Sequence, residues 1–318
     1  MGSTEYVLDL LAYILFRAFS FACGALGARG SAAVGCLLGM GISLFDNTRG
    51  RGLILRNMTQ ALGPERARAL LPRYYEHIGL LVVEFARIWR PGRHDFTDRI
   101  APDGIERLKE ALASPGGALC ITGHIGNWEL CGQCLARNGV ALHAVYKALK
   151  NPYLDRLLRR LRRESGMLVH EKQAGARTMI RAVREHETVG LMMDQDGSGV
   201  GIFVPFFGRI GSTLSIAAHI ARRTGAKLVP VTSYRDRSRA FHRLRVGPEI
   251  EIAETGDEAR DVLLTTRNCN KALEKAILEH PAQWLWRHRR WRTPAKPEDV
   301  RSWEEASKAL SGGGAGSS

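Results

Sequence analysis

Ala118-Leu119-Cys120-Ile121-Thr122-Gly123-His124-Ile125-Gly126-Asn127-Trp128-Glu129-Leu130 is the stretch from which the fold is read. Ala118 to Ile121 is a short apolar run bounded by Gly116-Gly117, the pattern of a strand buried on both faces. A turn bracketed by Gly123 and Gly126 follows, and then a helical pattern begins. His124 therefore sits where a strand hands over to a helix. In open α/β sheets ligands bind outside the carboxyl ends of the strands. Glu129, five positions on, can reach back to the imidazole from the first helical turn, and a His–carboxylate pair of this kind makes a general base near neutral pH. The alternative is a buried histidine followed by a helix-starting glutamate.

Downstream, strand and helix patterns alternate. Strands are expected at 140–146, 166–170, 189–193, 226–232 and 241–246, and helices at 153–165, 174–187, 213–224 and 257–279. Upstream, Pro64 opens an amphipathic helix to about Trp89, which Pro91-Gly92 ends, and a second helix spans 105–113. Strands alternating with helices specify an α/β domain with a mixed, largely parallel central sheet flanked by helices.

Tyr6 to Leu26 is apolar apart from Asp9 and Arg17, and a second apolar, glycine-rich stretch covers Ser31 to Phe45. About 20 such residues span a bilayer, so the first stretch is a transmembrane anchor, an interfacial helix or a core helix. A signal peptide is disfavoured, because Glu5 and Asp9 stand where its positive region belongs. Arg49, Arg51 and Arg56 follow the apolar region and place the downstream domain on the cytoplasmic side. Three regions result: a membrane-associated helical segment at 1–45, a catalytic domain at 46–300, and a flexible tail at 301–318 ending in a Gly/Ser-rich run.

The chain carries 46 Lys+Arg against 32 Asp+Glu, a formal net charge of +14. That points to an anionic partner: nucleic acid, a membrane surface or a phosphorylated substrate. The six cysteines form no disulfide framework. Cys131-Gly-Gln-Cys134 matches CxxC but lies within a helical pattern and has no second ligand pair, so small residues packing a helix on the sheet explain it better than a metal. Arg156, Arg159, Arg160 and Arg163 form one helical stripe, from which Arg162 departs. The apolar Phe203-Val-Pro-Phe-Phe-Gly208 reads as a loop that touches lipid or an acyl groove unless the fold buries it. Arg287, His288, Arg289 and Arg290, between Trp284, Trp286 and Trp291, have the character of a membrane-interface belt with phosphate-binding charges.

Four blocks, in order, resemble the lipid A biosynthesis (lauroyl/myristoyl) acyltransferases, within the wider glycerol-3-phosphate acyltransferase-like superfamily. They are Gly123 to Glu129; Val145-Tyr146-Lys147 with Asn151-Pro152 and the basic helix; Asp194-Gln195 with Gly201 to Gly208 and Thr213; and Pro281 to Trp291. Together they cover about residues 5–295. The resemblance implies a membrane-anchored enzyme that moves a fatty acyl chain from acyl carrier protein to a hydroxyl of a lipid A precursor at the inner membrane, its catalytic domain facing the cytoplasm. Two features depart from the family pattern: Lys147 stands where arginine is frequent, and Arg17 interrupts the first apolar stretch.

On this reading His124 takes the proton of the attacking alcohol and Glu129 fixes its tautomer, with no covalent acyl-enzyme, no cofactor and no metal. Asn127 either contacts the oxyanion or acceptor, or serves turn chemistry. Asp194, with Gln195, either holds an acceptor group or caps a turn. Lys147 and Arg162 are substrate-binding by resemblance, and Arg289 belongs to the phosphate-binding charges. The rival readings are acylation of another membrane glycolipid such as a phosphatidylinositol mannoside, an acyl-CoA donor, a non-catalytic lipid-binding protein, and a metal-dependent hydrolase. A nucleic-acid partner is set aside, because it leaves the His–Glu block and the apolar segment unexplained.

Overall fold

The computed structural model describes residues 3–89, 99–171 and 175–312. Four helices come first: α1 Ser3–Ala25, α2 Ala28–Phe45, α3 Thr48–Leu62 and α4 Pro64–Ile88. The α/β region follows as β1 Ile100–Asp103, α5 Ile105–Leu112, β2 Ala118–Thr122, α6 Trp128–Arg137, β3 Leu142–Tyr146, α7 Pro152–Glu164, β4 Leu168–Glu171, α8 Gly175–Arg184 and β5 Thr188–Met192. It continues through β6 Ile202–Phe206, β7 Arg209–Thr213, α9 Ile216–Thr224, β8 Lys227–Arg235, β9 His242–Val246, α10 Glu258–Glu279 and α11 Pro297–Gly312.

Seven strands form one sheet in the order β1-β9-β8-β2-β5-β3-β4. The pairs are parallel except β8–β9. The expected mixed, largely parallel sheet is therefore present. β2 lies at its centre, between β8 and β5. Leu119 and Ile121 pack into the core beneath α3, α4, α9 and α10, while Ala118 and Cys120 pack into the opposite core beneath α5 and α6. A strand covered on both faces has no polar alternation to show, which is why this one is a continuous apolar run.

Several expectations need correction. Residues 203–208 are not a loop. Phe203 to Phe206 lie in β6, which pairs with β7 as a two-stranded antiparallel hairpin, and Phe206 is fully buried against Trp284 and Trp291. The aromatic–basic run 281–291 is not an exposed belt either. Trp284, Trp286 and Arg290 are among the most deeply buried side chains. Residues 301–312, expected in a flexible tail, continue α11. The Pro91-Gly92 helix stop lies outside the described residues, as does 313–318.

Helices α1 and α2 cover most of residues 3–45, and each is long and apolar enough to cross a membrane. Both pack on α4. The crossing of α2 is close because Gly35, Gly39 and Gly79 meet backbone to backbone, where a Cβ on Gly79 would fall 2.1 Å from the Gly35 carbonyl oxygen. Away from α4 they expose Leu8, Leu11, Leu15, Phe21, Leu44 and Phe45. Exposed apolar side chains gathered in this way mark a face that contacts a membrane or another protein.

Candidate active site

His124 sits in the turn after β2, and that turn is shaped by its glycines. Gly126 has φ +60°, and a Cβ there would lie 2.0 Å from the Ser233 carbonyl oxygen. A Cβ on Gly123 would press on the Asp194 carboxylate at 2.9 Å. The turn is clamped from outside by the segment 281–291. Gly126 N–H donates to the Gln283 carbonyl, Leu285 N–H donates to the His124 carbonyl, and Ile125 bridges Trp284 in antiparallel fashion.

The partner of His124 is Asp194, not Glu129. β2 and β5 are parallel neighbours with Thr122 in register with Met192. Two residues beyond that pair, the chain places His124 beside Asp194. The Asp194 carboxylate is completely buried. It accepts the backbone N–H of His124 at 2.7 Å and the Trp284 indole N–H at 2.8 Å on Oδ2, and meets His124 Nδ1 at 3.0 Å on Oδ1. Burial alone would raise its pKa, but His124, His288 and the Trp284 hydrogen bond outweigh burial and hold it below the usual carboxylate range. An ionised acceptor at Nδ1 makes that nitrogen the donor, which leaves the Nε2 lone pair free for a proton. Gln195 Nε2 lies 3.4 Å from that atom.

Glu129 faces the other way. It sits at the start of α6 and takes a two-point ion pair from Arg162 of α7, with Nε to Oε2 at 3.0 Å and Nη2 to Oε1. Both side chains are largely buried. Burial lowers the Arg162 pKa, but Glu129 and Tyr146 more than compensate and the guanidinium stays charged. This pair stands at the rim of an apolar cavity between α6 and the sheet, whose walls include Thr122, Leu135, Leu142, Met167 and Met192. Thr122 and Met192 are the residues from which the His124 and Asp194 turns depart.

Asn127 is not exposed to a substrate. It is the N-cap of α6: its Oδ1 accepts the Leu130 N–H at 3.0 Å, and its Nδ2 donates to Glu84 Oε2 at 3.0 Å. Glu84 is ion-paired with Arg235 and meets His242 Nε2 at 3.1 Å. Burial opposes ionisation of Glu84, but Arg235 and His242 overcome it and keep it below the carboxylate range. A buried cluster of ion pairs and hydrogen bonds therefore fixes the base of the His124 turn, with His242 Nδ1 left unpartnered.

Lys147 is exposed beyond the end of β3, and the structure does not bring it into contact with His124. Arg289 is exposed, next in chain to His288. On α7, Arg159 and Arg160 pair with Asp155, Glu171 and Glu164, the arrangement of a solvated face. Cys131 and Cys134 are buried free thiols, and burial raises both pKa values, that of Cys134 to about 11.

Glu84 and Arg235 are site residues that sequence reasoning did not single out, and His288 and Trp284, expected in an interface belt, belong to the site instead. The His288 ring centroid lies 4.5 Å from that of His124, and its Nε2 is buried without a hydrogen-bond partner. Burial, with the neighbouring His124, lowers its pKa to about 4 against the pull of Asp194, so it is neutral at physiological pH. His124, Asp194 and His288 together offer three ligand atoms within 4.8 Å of one another. A metal ion there would compete with His124 Nδ1 for Asp194 Oδ1, while Oδ2 already accepts two N–H groups.

Comparison with known proteins adds the following. The family model described as bacterial lipid A biosynthesis acyltransferase matches residues 5–293. The chain is 28% identical over 279 residues to a lipid A biosynthesis lauroyltransferase of Escherichia coli, covering 85% of this chain and 87% of that one. It is 24% identical over 206 residues to lipid A biosynthesis acyltransferase 2 of Shigella flexneri, covering 64% of this chain and 65% of that protein. A phosphatidylinositol mannoside acyltransferase of Mycolicibacterium smegmatis is 26% identical over 251 residues, covering 72% and 80%.

Proposed function

The chain belongs to the bacterial lipid A biosynthesis acyltransferase family, and from that premise we propose that it transfers a fatty acyl chain from a thioester donor to a hydroxyl of a lipid A precursor, with His124 as general base and Asp194 as the residue that orients it. The observation that carries the reading is the buried Asp194 carboxylate, which accepts both the backbone N–H and Nδ1 of His124.

An alcohol is a weak nucleophile and gains from a base within hydrogen-bond reach. The acceptor hydroxyl takes the place of the Gln195 amide at His124 Nε2. As its oxygen attacks the thioester carbonyl, its proton passes to Nε2, and Asp194 stabilises the imidazolium. Collapse of the tetrahedral adduct breaks the C–S bond. The departing sulfur takes the proton from Nε2, and the products are an ester and a free thiol. No acyl-enzyme is needed. Neutral His288, with its unpaired Nε2 beside the reacting groups, is placed to hydrogen-bond a substrate oxygen. The apolar cavity rimmed by Glu129 and Arg162 suits the acyl chain, and their buried ion pair fixes its rim. In this scheme Glu129 supports the site through Arg162 instead of serving as the partner of His124.

Acyl carrier protein is the proposed donor, its acidic surface suiting a chain of net charge +14. The proposed location is the inner membrane with the catalytic domain on the cytoplasmic side, supported by the exposed apolar faces of α1 and α2 and by Arg49, Arg51 and Arg56 just after them. Mass spectrometry of lipid A from cells with and without the active gene tests the reaction and acceptor together. Loss of the mass of one acyl chain, reproduced by His124→Ala, is the expected result; unchanged lipid A would sink the reading and move attention to a phosphatidylinositol mannoside acceptor. Turnover by the purified enzyme should resist chelators, and chelator-sensitive turnover would replace the proton-transfer scheme with metal chemistry.

A further inference from the structure

Beside the segment that follows His288, the surface opens into a cleft of about 960 Å³. Arg49 and Arg56 of α3, Arg209 at the start of β7, and Arg289, Trp291 and Arg292 line it, and no aspartate or glutamate does. Arg209 lies over the Trp291 ring at 5.8 Å, and Arg292 bonds Ser198 and Asp196. Arg49, Arg56 and Arg289 are exposed and have no carboxylate partner among the described residues. Elsewhere on the surface Arg160, Arg245 and Arg287 are paired with an acid, and the exposed Arg66, Arg73 and Arg237 share their cleft with Glu76, Asp236 and Glu279, whereas this lining holds no carboxylate. The cleft thus gathers unpaired positive charge in a concave site, and such charge is relieved by an anion with several oxygens.

Its position narrows the anion. α3, which supplies Arg49 and Arg56 to the cleft, begins three residues after Phe45, which is 89% exposed at the end of α2, so a short link joins the cleft to the apolar helices. With α1 and α2 in a bilayer, as proposed above, a lipid whose headgroup occupies this cleft can keep its chains beside them. The volume suits a small headgroup, whereas docked proteins need a broader face. Arg289 follows His288, whose ring touches that of His124. We propose that this arginine cleft binds a phosphate of the acceptor glycolipid and thereby presents the hydroxyl to His124; this rests on the reading that the acceptor is a membrane glycolipid.

The full-length enzyme in detergent micelles tests the assignment. Arg56→Ala and Arg289→Ala should each raise the acceptor KM on the order of ten-fold, lower kcat far less, and leave the donor KM in place. Arg289→Lys should recover part of the loss. Enzymatic removal of the acceptor phosphate should raise KM for the wild type and add nothing further in the variants. An unchanged acceptor KM overturns the proposal, and so does an increase confined to the carrier-protein KM. Binding separates this from the reaction itself. His124→Ala should bind vesicles doped with the phosphorylated acceptor, and His124→Ala/Arg289→Ala should not. Equal binding to phosphatidylglycerol vesicles would reduce the cleft to a bulk-charge sensor and also overturn it. If the wild type binds the phosphorylated acceptor through the arginines yet never acylates it, the proposed reaction falls and the cleft assignment stands.

Discussion

Asp194 matters because of what it accepts. A carboxamide of the same shape cannot accept from three N–H groups without turning its own NH2 toward one of them. Asp194→Asn should therefore lower kcat on the order of 10³- to 10⁴-fold through loss of the correct tautomer, with substrate binding largely retained; single-turnover kinetics read this directly. Glu129→Gln leaves His124's partner in place and should lower kcat by far less. His288 adds a pH dependence. Its folded pKa of about 4 lies below the unfolded 6.5, so between these values the unfolded chain binds the proton first. Stability is full above pH 6.5 and falls as pH drops toward 4, by on the order of 3 kcal/mol. His288→Phe should reduce the fall of the denaturation midpoint over that window, a remainder coming from His77, whose burial also holds it below its ordinary value. Asp194 contributes in the same direction only at lower pH, because its folded pKa lies below the carboxylate range.

At the scale of elements, the His124 turn is held by what flanks it. Asn127 caps α6 and also occupies an oxygen of Glu84. Asn127→Ala removes both bonds and should cost about 2 kcal/mol, seen as a lower midpoint of thermal unfolding, with a fall in kcat because the turn loosens. The elements also explain what the chain disclosed in advance. The strand, turn and helix around His124 were legible because they depend on neighbours in sequence. The pairing of His124 with Asp194 was not, since it needs β5 to lie beside β2 across 70 residues. Glu129 lay nearer in sequence and drew the role, while its real partner, Arg162, lies on a separate helix. Trp284 and Trp286 were misread because aromatics among arginines look alike whether they line a membrane interface or plug a core. The burial of Trp284 follows from the indole bond to Asp194, which only the assembled fold supplies.

For the whole molecule, the division of surface is the main result. α1 and α2 carry exposed apolar side chains, and the arginine cleft draws its first residues from α3, the next helix in the chain. Replacing Leu11, Leu15, Leu44 and Phe45 together by serine should remove most vesicle association in a flotation assay while leaving the thermal midpoint almost unchanged, because these side chains contact little of the protein. Unaltered flotation would mean that charge alone holds the molecule at the bilayer. Net charge was legible from composition, but its concentration at Arg49, Arg56, Arg209 and Arg289 was not, since it brings together α3, β7 and the segment after α10.

The clamp of residues 281–291 over the His124 turn also sets an order of events during synthesis. The apolar helices leave the ribosome roughly 240 residues before Trp284 does, an interval on the order of 10–50 s at ordinary elongation rates. Until Trp284 arrives, Asp194 lacks its indole donor and the His124 turn lacks its outer bonds. The nascent polypeptide therefore exposes its apolar helices well before the proposed site around His124 can be completed.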